Sequence, residues 1–181
     1  MKILFITPGP LGDTVLSTGL LKHLNDTYPH ADITIATGPL GMDLLSATPG
    51  LEKLISLKKQ KKHGHWVSLW KEAVGQKWDI VTDLRNSAVS RLIVGGKKYI
   101  KSTGKFDPTA HVVVQNAQIM GLGDNPPSPK IYLSDICRNK EMHMITDDDR
   151  PVIGVGPTAN FAGKMWPPEY FVELLRRLTN K

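Results

Sequence analysis

The strongest constraint on this chain is a repeated change of apolar period. Four apolar residues, Ile3–Ile6, run without interruption into the loop Thr7-Pro8-Gly9-Pro10-Leu11-Gly12. A helical stripe follows, with Leu16, Leu20, Leu21 and Leu24 on one side of a helix expected over Asp13–Asn25. A strand buried on both faces reads as a continuous apolar run, whereas a packed helix repeats every three to four residues. The alternation recurs down the chain. Strands are expected at Ile33–Ala36, Leu54–Leu57, Asp79–Leu84 and Lys98–Ile100, with helices at Met42–Ser46, Trp66–Val74, Ser87–Val94 and Ala110–Leu122. Ile131–Leu133 is expected to close the sheet. Short β-α connections of this kind predict an α/β fold, a Rossmann-like parallel sheet flanked by helices.

Residues 1–133 therefore form one expected domain. The proline-rich stretch GDNPPSPK, residues 123–130, reads as a loop, and the polar, aperiodic residues 134–150 read as a linker. The pattern restarts at 151. Val152–Val155 is expected as a strand and Pro168–Leu178 as a helix, with Phe171, Leu174, Leu175 and Leu178 at helical spacing. One strand and one helix cannot bury both faces of a sheet. Residues 151–181 are accordingly expected to be the first β-α unit of a second, truncated α/β domain.

Charge is distributed unevenly. Residues 58–105 hold twelve Lys/Arg against three Asp/Glu, while the flanking segments are slightly acidic, so this stretch carries the whole excess of the net +6. Such a stripe suits a partner rich in phosphate or carboxylate, or else a solvated surface. No apolar run approaches the roughly 20 residues of a membrane span. The N-terminus lacks the apolar core of a signal peptide. Cys137, the one cysteine, has no internal disulfide partner. These features fit a reducing cytosol.

Two turns carry the residue types of a reactive site. The first, Thr7 to Asp13, lies where a parallel strand ends, the edge at which open α/β sheets bind ligands. Its Gly9 and Gly12 form neither a dinucleotide fingerprint nor a phosphate-cradling P-loop. Asp13 reads either as an N-cap or first-turn acid, or as a general base facing a cleft. The second turn runs from Gly154 to Pro167. It gathers Thr158, Asn160 and Lys164, which read either as a phosphate-holding set or as solvated polar residues around a packed Trp166. His63-x-His65 has the spacing of two metal ligands without a third, so no metal is expected.

Taken together, four stretches resemble glycosyltransferase family 9, the heptosyltransferases of lipopolysaccharide core assembly. They are Met1-Lys2-Ile3-Leu4 through Leu11-Gly12-Asp13 to Leu20-Leu21; Trp78-Asp79-Ile80-Val81-Thr82-Asp83-Leu84-Arg85; His111 to Gly123; and Lys164-x-Trp166-Pro167-x-Glu169-x-Phe171. The resemblance implies a two-domain GT-B fold and inverting transfer of heptose from ADP-heptose, as substrate, to a lipid-linked core sugar. No cofactor or metal is implied. Asp13 falls on the family's proposed base, Lys164 with Thr158 and Asn160 on the donor side. Gly12, Lys58, Lys59, Lys61 and Lys62 fall on the side of an anionic lipid-linked saccharide acceptor. The lysines also imply a transient contact with the inner leaflet, hence a cytoplasmic, membrane-peripheral protein. Pro10 and Gly19 stand where the family often has serine and proline. With most of a donor domain missing, the 181 residues alone are expected to be inactive. The alternative is a non-catalytic module that binds an anionic glycolipid through Lys58–Lys62. Nucleic acid is not an expected partner, because the lysine run has few aromatics and no recognition motif.

Overall fold

The computed structural model describes residues 1–102, 107, 109–135, 137, 152–159 and 161–179. The chain divides into two compact units, Met1–Met142 and His143–Lys181. In the first, β1 (Lys2–Ile6), β2 (Asp32–Thr37), β3 (Leu51–Ser56), β4 (Trp78–Asp83) and β5 (Gly95–Ile100) form a five-stranded sheet in the order β3-β2-β1-β4-β5. Every pairing is parallel. The helices are α1 (Leu11–Thr27), α2 (Gly41–Leu45), α3 (Gly64–Ala73), α4 (Val89–Leu92) and α5 (Val112–Gln118).

The central strand explains the architecture. Ile3, Leu4, Phe5 and Ile6 are all fully buried. Side chains alternate across a strand. Ile3 and Phe5 thus join Leu20, Leu21 and Leu24 of α1 and Ala117 of α5 in one core. Leu4 and Ile6 join Leu69 and Ala73 of α3 and Val89 of α4 in the other. Two cores on opposite faces are what an uninterrupted apolar run requires.

Several boundaries differ from the sequence expectation, each for a local reason. β5 begins three residues early because Gly95 and Gly96 extend the ladder with β4. A Cβ at Gly96 would lie 2.7 Å from the Asp79 carbonyl oxygen, so the glycine permits that approach. α5 stops short of Leu122 because Gly121 adopts φ 75°. Leu122 N–H donates to the Ala117 carbonyl at 3.0 Å and Gly121 N–H to Gln118 at 3.1 Å, the paired bonds of a Schellman stop. α4 is one turn, not the longer helix expected over Ser87–Val94.

Ile131–Leu133 is not a strand. The segment instead lies along α1, where Lys130 N–H donates to Thr18 Oγ1 at 3.0 Å. Gly19 makes this possible: a Cβ there would stand 2.1 Å from the Pro127 carbonyl oxygen. The segment is thus held against a helix side chain and is not a strand of the sheet.

The second unit behaves differently. Val152–Val155 carries no strand, and Val152 is 75% exposed. A strand exists through its ladder partners, and among the described residues no backbone bond reaches 152–155. Helix α6 (Pro168–Thr179) forms as expected, with Pro168 in the first turn, where its missing N–H costs nothing. Trp166 packs on Tyr170 and edge-on to Phe171, with ring centroids 5.5 and 5.0 Å apart. Most of the expected linker, 134–150, lies outside the described residues.

Candidate functional site

All five strands point the same way, so their carboxyl ends share one edge. The order reverses at β1, which has β2 on one side and β4 on the other. Such a reversal opens a crevice beyond the strand ends. The loop after β1 and the loop after β4 flank it, joined where Leu84 N–H donates to the Ile6 carbonyl at 3.0 Å.

The loop after β1 is held from below by three buried threonines. Thr7 Oγ1 lies 2.8 Å from Thr37 Oγ1 at the end of β2. Thr14 Oγ1 donates to the Pro8 and Pro10 carbonyls, each at 3.0 Å. Gly38 supports the same loop by close approach, since a Cβ there would be 2.7 Å from the Gly9 carbonyl oxygen. Gly41 does likewise against Thr37 Oγ1, at 2.2 Å. Sequence reasoning missed this threonine set, although hydroxyls directly after apolar strands are a readable sign of a buttressed turn.

On this platform α1 starts two residues earlier than expected. Pro10 is its N-cap, with no side-chain cap, and Asp13 is the third helical residue. Asp13 is therefore a first-turn acid and not the cap. It is half-buried, and among the described residues no hydrogen bond or ion pair engages its carboxylate. Gly9 and Gly12 lie beside it, and a Cβ on either would meet nothing within 4 Å. Glycine in a helix costs about 1 kcal/mol relative to alanine. Neither packing nor a left-handed backbone accounts for Gly12, and the space in front of it is open.

The loop after β4 is tied down by Asp83, whose side chain is fully buried. It accepts from Arg85 N–H at 2.8 Å, Ser87 N–H at 2.7 Å and Ser87 Oγ at 2.6 Å. These bonds hold the turn that presents Arg85. Its guanidinium stacks over Trp66, 4.7 Å from the ring centroid, and burial lowers its pKa, opposed by the nearby Asp83. The pattern Asp-x-x-x-Ser after a strand signals such a self-capped turn, so both residues were findable.

Lys58, Lys59, Lys61 and Lys62 are all exposed just beyond β3, on the same edge of the sheet. Lys62 and His63 take φ 51° and 58°, each a left-handed backbone costing roughly 1–2 kcal/mol. His65 is buried, and its Nδ1 accepts from Gln60 N–H at 3.4 Å. Burial lowers its pKa first, and Arg85, His63 and Lys59 add to the effect. The His63 and His65 rings stand 6.4 Å apart and tilted. Among the described residues no group of three His, Cys, Asp or Glu is placed to hold a metal ion.

In the second unit, Lys164 ends a single 3-10 turn, Ala162–Lys164, and is exposed, as is Thr158. Asn160 lies outside the described residues.

Residues 109–181 match the model of "Glycosyltransferase family 9 (heptosyltransferase)". The chain is 24% identical over its whole length to lipopolysaccharide heptosyltransferase 2 of Salmonella typhimurium, 61% of which it covers. Among solved structures it resembles a family 9 glycosyl transferase from Veillonella parvula, with a TM-score of 0.74, 20% identity, and coverage of 98% of this chain and 59% of that one. It also resembles the E. coli heptosyltransferase WaaC with ADP, with a TM-score of 0.64, 15% identity, and coverage of 98% and 64%. The chain thus spans about three-fifths of the length of the curated relative it matches. Its sheet and flanking helices are those of the GT-B heptosyltransferase structures. Residues 109–181 are thus similar to glycosyltransferase family 9, and the curated relatives that the whole chain resembles are heptosyltransferases.

Proposed function

We propose that this chain forms the acceptor side, and the start of the donor side, of a glycosyltransferase of lipopolysaccharide core assembly. The reaction is inverting transfer of heptose from ADP-heptose to a sugar of a lipid-linked core. The observation that carries this reading is the unengaged Asp13 carboxylate at the strand-order reversal, flanked by the open faces of Gly9 and Gly12. A relative is named lipopolysaccharide heptosyltransferase 2, and a structural neighbour was solved with ADP, which supports the substrate classes.

In this reading Asp13 takes the proton of the acceptor hydroxyl as that oxygen bonds to the anomeric carbon. The bond to the donor diphosphate breaks on the opposite face, and ADP leaves with the electron pair. Lys164, Thr158 and Asn160 hold the diphosphate, whose developing charge needs a cation or N–H donors and no metal. Gly12 lets the acceptor approach the backbone, and Lys58, Lys59, Lys61 and Lys62 attract its anionic groups. The enzyme works at the cytoplasmic side of the inner membrane.

Asp13→Asn and Asp13→Ala, made in the longest available form of the protein, test the assignment through ADP release with ADP-heptose and a lipid-linked core acceptor. Turnover is expected to fall about 10²–10⁴-fold. Stability should change by less than about 1 kcal/mol, the worth of a first-turn acid. Unchanged turnover would remove Asp13 as the base.

A further inference from the structure

Arg85 and Arg91 both stand at the turn after β4, and the fold uses only one of them. Arg91 is spent on the turn itself: its guanidinium donates to the Ser87 carbonyl at 3.1 Å and to Asn86 Oδ1. Asn86 takes φ 54°, a left-handed backbone that residues other than glycine rarely adopt. With the bonds to buried Asp83, these contacts fix the turn from both ends. Arg85 has no such employment. It is half-buried, and its backbone N–H is bonded to Asp83 Oδ1. Among the described residues no hydrogen bond or ion pair reaches its guanidinium.

A cation withdrawn from water normally has an oxygen to bond. The Trp66 ring, 4.7 Å from the Arg85 guanidinium carbon, attracts the cation through its π-electrons but supplies no acceptor atom. The nearby Asp83 carboxylate supports the charge only from a distance. Its oxygens are taken by the Arg85 and Ser87 backbone N–H groups and the Ser87 hydroxyl. The guanidinium is thus positioned by the ring, partly desolvated, and left with its N–H donors unspent.

Its place gives that donor set a use. Arg85 follows β4, beside β1 at the strand-order reversal, where Leu84 N–H ties the loop to Ile6. Lys59 and Arg85 both act electrostatically on His65, so the lysine loop and this turn lie within range of one group. Lysine is a point charge on a flexible stem, which attracts an anion without orienting it. The planar fork of arginine instead matches two oxygens of a carboxylate or phosphate. We propose that Arg85 determines acceptor specificity, gripping one carboxylate or phosphate of the saccharide through paired N–H···O bonds. The proposal deepens the transferase reading and rests on it for the ligand being a saccharide; the anion follows from Arg85 itself.

The test is titration of the 181-residue chain with glucose 6-phosphate, glucuronate and neutral glucose at constant ionic strength, followed by tryptophan fluorescence. No sugar nucleotide is present, so failure here is separable from failure of the Asp13 assignment. A saturable change is expected with a charged sugar and none with glucose, and the charged sugar that saturates at the lower concentration names the group. Arg85→Gln should weaken this binding about tenfold or more, through loss of a charge-assisted pair of bonds. Arg85→Lys keeps the charge without the fork and should recover only part. An unfolding curve verifies each variant, and the lysine variant keeps the test open if the glutamine one does not fold. In the longest available form, Arg85→Gln should raise KM for the acceptor with kcat little changed. Wild type that responds to neither charged sugar, or equally to glucose, overturns the proposal. So does an arginine variant that titrates like wild type, which would leave Arg85 a clamp on Trp66.

Discussion

Two short apolar runs in this chain meet opposite fates. Ile3–Ile6 becomes the central strand and is wholly buried. Val152–Val155, apolar but for Gly154, carries no strand and stays exposed. Gly154 weakens the second run, yet its valines and isoleucine favour strands, so propensity is only part of the difference. β1 has a ladder on each side and a core on each face. Residues 152–155 have none among the described residues. A buried strand is thus a property of its neighbours as much as of its own residues.

The sharpest way to break this comparison is to cut the same kind of side chain in both places. Leu4→Ala should cost about 2–5 kcal/mol, through lost transfer energy and a cavity that β1 cannot close. Denaturant unfolding followed by circular dichroism reads it, and a loss under 1 kcal/mol would show that the sheet's second core is loose.

Next in size is Gly19→Ala, which asks whether the first unit's packing extends to its outer layer. The added methyl meets the Pro127 carbonyl, so the 123–133 segment must lift from α1. The expected cost is about 1–3 kcal/mol despite alanine's better helix propensity. A stabilised variant would mean that the segment does not lie where the structure has it.

A smaller effect comes from His65, buried among cations. Its pKa is lowered below 6.5, first by burial and then by Arg85, His63 and Lys59. As pH falls below 6.5 the unfolded chain takes up a proton before the folded one does. The contribution is therefore complete above 6.5 and lost as pH falls toward the folded value. His65→Leu should flatten that part of the stability–pH curve, and an unchanged slope would assign it to other groups.

The smallest effect completes the pair. Ile153→Ala should change stability by no more than about 0.5 kcal/mol, as exposed positions do. A loss comparable to that at Leu4 would mean that residues 152–155 are buried in solution.

Much of the first unit was legible because its signals are local. The run Ile3–Ile6, the leucines of α1 and the apolar spacing of α3 each name their element within a few residues. The proline-rich segment was legible as a loop but not as a cover for α1, because its partner, Gly19, lies over a hundred residues away. The candidate site divides the same way. Asp13 stood out by its place after a strand and before a helix. Its buttress of Thr7, Thr14 and Thr37 comes from three separate elements. Arg85 was visible only as one letter of a family stretch, until the Asp83 turn and the Trp66 ring gave it a setting.

The order of residues by itself marked the five strands and the helices that do form, the concentration of positive charge in 58–105, and the acid that opens α1, but not that Ile131–Leu133 and Val152–Val155 would stay out of a sheet. Apolar period, charge and capping chemistry act over one or two turns of chain, and so can be read in place. Only the tertiary structure decided which apolar residues stay exposed. Trp70 and Leu92 belong to helices whose inner faces are buried, and nothing in their spacing says that no neighbour covers the outer one. Burial is a statement about what else arrives at the same place, which no single stretch of sequence contains.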